Sequence, residues 1–252
     1  MTIIGKDLRM GKIFRSDGKT LIVAMDHGME GPMRGIESPR KTIQKIVEGG
    51  PDSIIVNLGI LREFSKELKQ LPSVMWTVPL GEPSWIKEAI KLGVDGVKVG
   101  CFEPITNVAE YMKFQAMGVE CEKWGMPLCA EPIPIDPQTR KEITDVEMNK
   151  NVARMGAEAG GDFLKIVYTG SPESFRQVVD TCVVPATIMG GPKMETDRDI
   201  LEVVKGMIDA GGCGVAFGRN IWQHKDPTAM IRAISMIIHR DATVEKALKE
   251  LE

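Results

Sequence analysis

Eight short apolar runs recur along the chain, at 21–25, 53–57, 74–78, 96–99, 128–132, 163–167, 186–189 and 214–217. Longer stretches with helical periodicity separate them, at 39–48, 61–68, 84–92, 108–124, 145–159, 172–179 and 197–210, with 227–239 and 244–251 after the last run. This alternation narrows the fold more than any other feature. A strand that reaches its neighbour through a helix runs parallel to it, because the crossover returns the chain to the same end of the sheet. Parallel strands are covered by helices and so read as nearly unbroken apolar runs. Eight such units match a closed barrel, and 252 residues match the roughly 250 that one barrel uses. An open doubly wound sheet is the rival, but no GxGxxG follows the first run, as a dinucleotide-binding sheet of that kind requires.

Local punctuation agrees. Ser38-Pro39, Pro83-Ser84, Ser171-Pro172 and Asp226-Pro227 place proline in or near a first helical turn. Gly49-Gly50, Gly93, Gly160-Gly161 and Gly211-Gly212 stand where helices must end. No linker, low-complexity segment or composition break divides residues 1–252. The expectation is one α/β domain, a single (β/α)8 TIM barrel.

Composition excludes several partners. A net charge of -3 leaves no basic surplus for nucleic acid, and no polybasic run suits an anionic membrane. No stretch approaches the roughly 20 apolar residues of a spanning helix. The N-terminus carries Lys6, Asp7 and Arg9 and has no long apolar core, unlike a signal peptide. Five cysteines without a CxxC pair fit a reducing compartment. A soluble cytoplasmic protein is expected.

In such a barrel the chemistry lies where strands end. Lys165 stands amid Phe163, Leu164, Ile166 and Val167. Burial favours a neutral amine, the form that attacks a carbonyl to make a Schiff base. The alternative is a lysine snorkelling to water or paired with a carboxylate. Asp26 ends the first run, either as a carboxylate that orients substrate or moves protons or as an Asx-turn residue. His27 follows it, and alternation points it away from Asp26. Lys98, in the fourth run, either depresses the pKa of Lys165 or pairs with Glu131. Glu131, in the fifth, is a candidate acid or base, or a lysine's partner. Met189-Gly190-Gly191 and Phe217-Gly218-Arg219 end the last two runs, where this fold often binds phosphate. Arg219 adds a bidentate donor, whereas Gly-Gly alone also serves ordinary turns. The three histidines show no HxH or HExxH spacing, and metal-free amine chemistry is expected.

The stretches VAMDHGMEGP, FLKIVYTGSPESF, VPATIMGGPK and GVAFGRNIWQHKDPTAM resemble the archaeal-type class I fructose-bisphosphate aldolases. That superfamily also includes 2-amino-3,7-dideoxy-D-threo-hept-6-ulosonate synthases and the phospho-autoinducer-2 thiolase. The resemblance covers most of the chain and is strongest over 161–239. It implies that Lys165 is the Schiff-base lysine and Asp26 the carboxylate that assists proton transfer. It also implies that Gly190, Gly191, Gly218 and Arg219 hold a phosphorylated small-molecule substrate. No cofactor beyond the covalent imine is implied, and a homo-oligomer, pentameric or decameric, is. One departure stands out. The family's usual tyrosine acid on strand five has no counterpart in CAEPIPID, where Pro134 or a near neighbour takes its place. Glu131, Lys98 or a water held by Asp26 are the substitutes. The expected activity is a Schiff-base aldolase acting on a phosphorylated ketose. The alternatives are a heptulosonate-type synthase or acyl-transferring thiolase on the same lysine, or a non-catalytic sugar-phosphate binder.

Overall fold

The computed structural model describes residues 4–102, 108–139 and 141–252. Eight strands form the barrel: β1 (Thr20–Met25), β2 (Ser53–Val56), β3 (Ser73–Thr77), β4 (Gly96–Cys101), β5 (Leu128–Pro132), β6 (Phe163–Ile166), β7 (Ala186–Met189) and β8 (Gly214–Phe217). They pair in sequence order, and β8 closes on β1 in parallel register. The helices are α1 (Ile4–Ile13), α2 (Pro39–Gly49), α3 (Leu58–Glu63), α4 (Ser65–Leu68), α5 (Ser84–Leu92), α6 (Val108–Trp124), α7 (Val146–Glu158), α8 (Pro172–Val179), α9 (Asp197–Asp209), α10 (Arg219–Trp222), α11 (Pro227–Arg240) and α12 (Val244–Leu248).

Three helical features depart from the sequence expectation. The pattern at 61–68 is two short helices, because Phe64 leaves the helical region at φ -115°. α10 follows β8 directly, where a loop is expected. α1 precedes the first strand and closes the bottom of the barrel. Its last residue, Ile13, and the following Phe14 join Ile22, Ile55, Met75, Cys129, Phe163 and Ala216 in one inner cluster. Phe14 meets Phe163 edge to face at 5.1 Å. Lys6 anchors the helix through Glu122 (2.7 Å) and Asp162 (2.9 Å).

This inner cluster sets the parity of each strand, because alternate residues share a face. Ile22 on β1 carries the inward parity to Asp26, Ile55 on β2 to Asn57, and Met75 on β3 to Thr77. Cys129 on β5 carries it to Glu131, Phe163 on β6 to Lys165, and Ala216 on β8 to Gly218. The bottom of the barrel is therefore a dry apolar plug and the top is polar. The outward residues of the strands pack under the helices in a larger core.

The plug supplies one stability prediction. Phe163 is fully buried, so Phe163→Ala opens a cavity and costs about 3–5 kcal/mol. Urea denaturation of the two proteins measures this as a lowered midpoint at constant m-value.

Candidate active site

The polar top of the barrel holds a chain of alternating charges. Asp26, at the end of β1, accepts from Lys98 on β4 at 2.8 Å. Lys98 also donates to Glu131 Oε2 on β5 at 2.7 Å, and Lys165 Nζ on β6 lies 2.5 Å from Glu131 Oε1. Two carboxylates and two ammonium groups thus alternate, and the side chains of all four are 8 % exposed or less. Charges this deep persist only when each has partners. Lys98 points into the barrel and pairs with Glu131, one of the two alternatives the sequence left open, and with Asp26 as well.

The electrostatics follow from this arrangement. Burial opposes ionisation of Asp26, but Lys98, Lys165 and the hydrogen bonds from Lys98 and Thr77 outweigh it, holding the carboxyl well below the usual range. Burial likewise opposes the charge on Glu131, and the two lysines override it, so this carboxyl is also held low. At Lys98, burial is overcome by Glu131 and Asp26, and the ammonium is stabilised beyond the ordinary lysine value. Lys98 is therefore a fixed cation here. The expectation that two facing lysines depress one another is not met at Lys98, because two carboxylates stand against it.

Two residues absent from the sequence reading complete the setting. Thr77 Oγ1 donates to Asp26 Oδ2 at 2.6 Å, and Asn57 Nδ2 donates to the Asp26 carbonyl at 2.9 Å. Both are polar residues at or next to the last inward position of an apolar run, and that is the signal that could have found them. His27 does not point away from the site. Its Nδ1 lies 3.9 Å from Asp26 Oδ1, and its ring meets Trp222 edge on at 5.3 Å.

The glycine-rich ends of β7 and β8 lie side by side. Asn220, in α10, donates to the Gly190 carbonyl at 2.7 Å and accepts from Met194 N at 2.8 Å, which fastens one end to the other. A Cβ on Gly190 would press on Phe217 and Asn220 at 3.1–3.2 Å, and one on Gly218 would lie 2.7 Å from the His27 ring. Glycine is thus required by close approach at Gly218, where the Ala24 carbonyl also lies 2.9 Å from that Cβ, whereas at Gly190 the neighbouring side chains would have to give by a few tenths of an ångström. Arg219 Nε is buried without a hydrogen-bond partner. A cavity of about 260 Å³ opens beside Gly190 and Gly191, lined also by Val167, Met189, Pro192 and Met194. A larger groove of about 940 Å³, lined by residues such as Tyr111, Pro134 and Met155, contains none of the four charged residues. The buried charges follow the strand ends, not the larger apolar space.

Neither tyrosine reaches the charged chain. Tyr111 lines the outer groove, and Tyr168 packs on Phe175 of α8 at 5.4 Å. Among the described residues no group of three His, Cys, Asp or Glu is placed to hold a metal ion. No helix among them is long and apolar enough to cross a membrane.

Lys98 yields a prediction with a pH signature. Lys98→Met leaves two buried carboxylates short of a cation and costs about 3–5 kcal/mol near neutrality. The folded carboxyl values lie below the usual range. Their stabilisation is fully present above about pH 5 and is lost as pH falls through those depressed values. The folded Lys98 value lies above the usual one. Its stabilisation is present below about pH 10 and lost as pH rises through the raised value. The gap between wild type and Lys98→Met therefore narrows in acid and in strong base, which denaturation across pH measures.

Known proteins share this fold. The model of the DeoC/LacD family of aldolases matches residues 20–224. An uncharacterized aldolase of Saccharolobus solfataricus is 33% identical over 99% of this chain and 100% of its own length. A 2-amino-3,7-dideoxy-D-threo-hept-6-ulosonate synthase of Halobacterium salinarum is 30% identical over 98% of this chain and 97% of its own. An archaeal fructose-1,6-bisphosphate aldolase, solved with its catalytic lysine covalently bound to the carbinolamine intermediate, superposes with a TM-score of 0.78 at 28% identity. That match covers 93% of this chain and 99% of the other. The chain belongs to the DeoC/LacD family of aldolases, and it is a lyase-type enzyme of the class I, Schiff-base kind.

Proposed function

We propose that Lys165 forms an imine with the ketone of a phosphorylated ketose or of dihydroxyacetone phosphate, and that the imine serves cleavage or formation of a carbon–carbon bond. The observation that carries this reading is the 2.5 Å contact between Lys165 Nζ and Glu131 Oε1 inside a buried network. A nucleophilic amine needs a group that takes its proton and later returns one to the departing hydroxyl. Glu131 is within reach to do both. It accepts a proton from the Lys165 nitrogen as the carbinolamine forms. Having passed that proton to the former ketone oxygen, it takes a second from the nitrogen and delivers it to the carbinolamine hydroxyl, which leaves as water and leaves the iminium. Lys98 stays charged throughout and holds Glu131 and Asp26 in place. In this reading Glu131 does the proton transfer that the resemblance gives to a strand-five tyrosine.

The electrostatics favour the next step. Lys165 is a leading cause of the low Glu131 value and a main contributor at Asp26. In cleavage, the bonding pair moves onto the iminium nitrogen and cancels its charge. Both carboxylates then become stronger bases at the moment a proton is released. Gly190, Gly191, Gly218 and Arg219 hold the phosphate in this reading, and a phosphate oxygen satisfies the unpaired Arg219 Nε. No metal and no cofactor beyond the covalent imine takes part. The setting is a cytoplasmic homo-oligomer, pentameric or decameric, which light scattering of the purified protein tests.

Two observations favour a second reading, a heptulosonate-type synthase or an acyl-transferring thiolase on the same lysine. Strand β5 carries no tyrosine, and a curated relative is a heptulosonate synthase. A substrate panel separates the two. Release of triose phosphates from fructose 1,6-bisphosphate supports the ketose reading. Turnover confined to aspartate semialdehyde or coenzyme A supports the second.

A further inference from the structure

One cavity that the proposed chemistry does not use lies behind strand β3. Met75 and Thr77 carry the inward parity there, so Trp76 between them faces the helical layer. Leu58 and Arg62 stand one turn apart on α3, and Trp85, Glu88 and Leu92 share a face of α5. α3 is six residues long, and the space between it and α5 is left as a cavity of about 290 Å³, lined by these residues, Trp76 and Lys91. Its walls are largely apolar and aromatic. The indoles of Trp76 and Trp85 stack with ring centroids 5.3 Å apart and planes inclined by 23°. Trp85 and Leu92 are each left 38 % exposed.

The polar groups of this cavity are unevenly matched. Lys91 donates to Glu88 at 2.7 Å, so that pair is neutral. The acids that follow Arg62 in the chain, Glu63 and Glu67, are both taken by Arg40, at 3.0 and 2.8 Å. Among the described residues Arg62 has neither a hydrogen bond nor an ion pair. The lining therefore carries one uncompensated positive charge. Trp76 adds a free donor. It is 3 % exposed, yet its indole N–H makes no hydrogen bond among the described residues. Trp124 and Trp222 donate theirs to Glu120 at 2.6 Å and to the Ala24 carbonyl at 3.1 Å, as a buried tryptophan ordinarily does. The Trp76 N–H is not sealed off from solvent, and the cavity is the space onto which this side chain opens.

We infer that the cavity between α3 and α5 is a second binding site, separate from the charged chain, and that it takes a planar aromatic monocarboxylate. Such a ligand satisfies every unmatched group in the lining. Its ring packs against the tryptophan pair and covers the exposed faces of Trp85 and Leu92. Its carboxylate accepts from the Arg62 guanidinium, whose fork suits two parallel hydrogen bonds, and from the Trp76 N–H. One uncompensated charge matches one carboxylate and leaves a phosphate dianion short of a cation. The volume lies at the lower end of ligand pockets and suits one ring or two fused rings. A neutral aromatic leaves Arg62 unused, and an aromatic amine meets it as a like charge. An aliphatic acid of the same size keeps the ion pair and forfeits the stacking. The site stands on the outer side of the barrel wall, so it does not depend on what Lys165 does.

Calorimetric titration of the intact protein with four probes tests this: indole-3-acetate, indole, tryptamine and cyclohexylacetate. Indole-3-acetate binds with one site per chain and a Kd on the order of 0.1–1 mM, the scale for a ligand of about a dozen non-hydrogen atoms. The other three bind more weakly, tryptamine least of all. Arg62→Gln weakens indole-3-acetate by about 10-fold or more, the worth of a hydrogen bond to a charged group, and leaves indole unchanged. Trp85→Leu weakens both indoles by about 2–10-fold, the worth of an aromatic pair, and brings indole-3-acetate towards cyclohexylacetate. Both side chains are exposed in part, and thermal melts of the two variants stay close to wild type. No heat from indole-3-acetate in the wild type overturns the inference. So does tryptamine binding as tightly as the acid, because charge is then not read. Binding that survives both substitutions unchanged also overturns it, since the ligand then sits elsewhere, beside Arg219 for example.

Discussion

Lys165→Arg abolishes turnover and leaves the fold intact. Arginine keeps the charge that Glu131 needs, since the ion pair to Oε1 can be made by a guanidinium. It stays protonated at any working pH and cannot attack a carbonyl. The variant therefore separates the electrostatic role of this position from its chemical one. The expected loss is on the order of 10⁵–10⁶-fold, the scale set by removal of a catalytic nucleophile. Lys165→Ala loses activity to the same extent. It is also somewhat less stable, because Glu131 then keeps only Lys98. Steady-state rates at high enzyme concentration, taken with thermal melts, measure both effects. Residual activity near the wild-type level in either variant sinks the mechanism.

The second large effect belongs to Glu131→Gln. Glutamine preserves the shape of the side chain and can still hydrogen-bond, but it cannot shuttle protons. Imine formation and hydrolysis slow by about 10²–10⁴-fold, the usual worth of general acid–base assistance. Rapid-quench trapping with borohydride resolves this step from carbon–carbon cleavage. Slowing should be greatest in the formation of the trapped adduct. If adduct formation keeps its wild-type rate and only cleavage slows, Glu131 is not the group that serves the Lys165 nitrogen, and Asp26 or a bound water is. Stability falls as well, since Lys98 is left with Asp26 alone among its carboxylate partners.

The barrel was legible because its signal is redundant. Each strand reads as a largely apolar run, and helices such as α2, α5, α8 and α11 have a proline at the start or a glycine at the end. An error of a residue or two at a boundary, as at 163–167 against β6 (Phe163–Ile166), changes nothing. Helix α1 was not legible because what holds it is long-range. Ile13 and Phe14 are apolar because they plug the barrel floor, and Lys6 is there to meet Glu122 and Asp162. None of those partners is near in sequence.

The charged chain shows the same division. Lysines and carboxylates inside apolar strands are conspicuous, and their shared parity follows from alternation once the inner face is known. Which of them pair depends on the stagger of the barrel, and local sequence does not encode that. Lys98 therefore read as either a modulator of Lys165 or a partner of Glu131. In the structure it bridges Glu131 and Asp26. His27 was misplaced for a related reason. Strict alternation stops where the strand stops, and His27 lies beyond the last residue of β1.

The most direct test of the account is borohydride reduction in the presence of dihydroxyacetone phosphate, followed by peptide mass spectrometry. The account predicts a single reduced adduct on Lys165, formed only when both reagents are present. An adduct on Lys98, or no adduct in protein that still binds the phosphate compound, contradicts it.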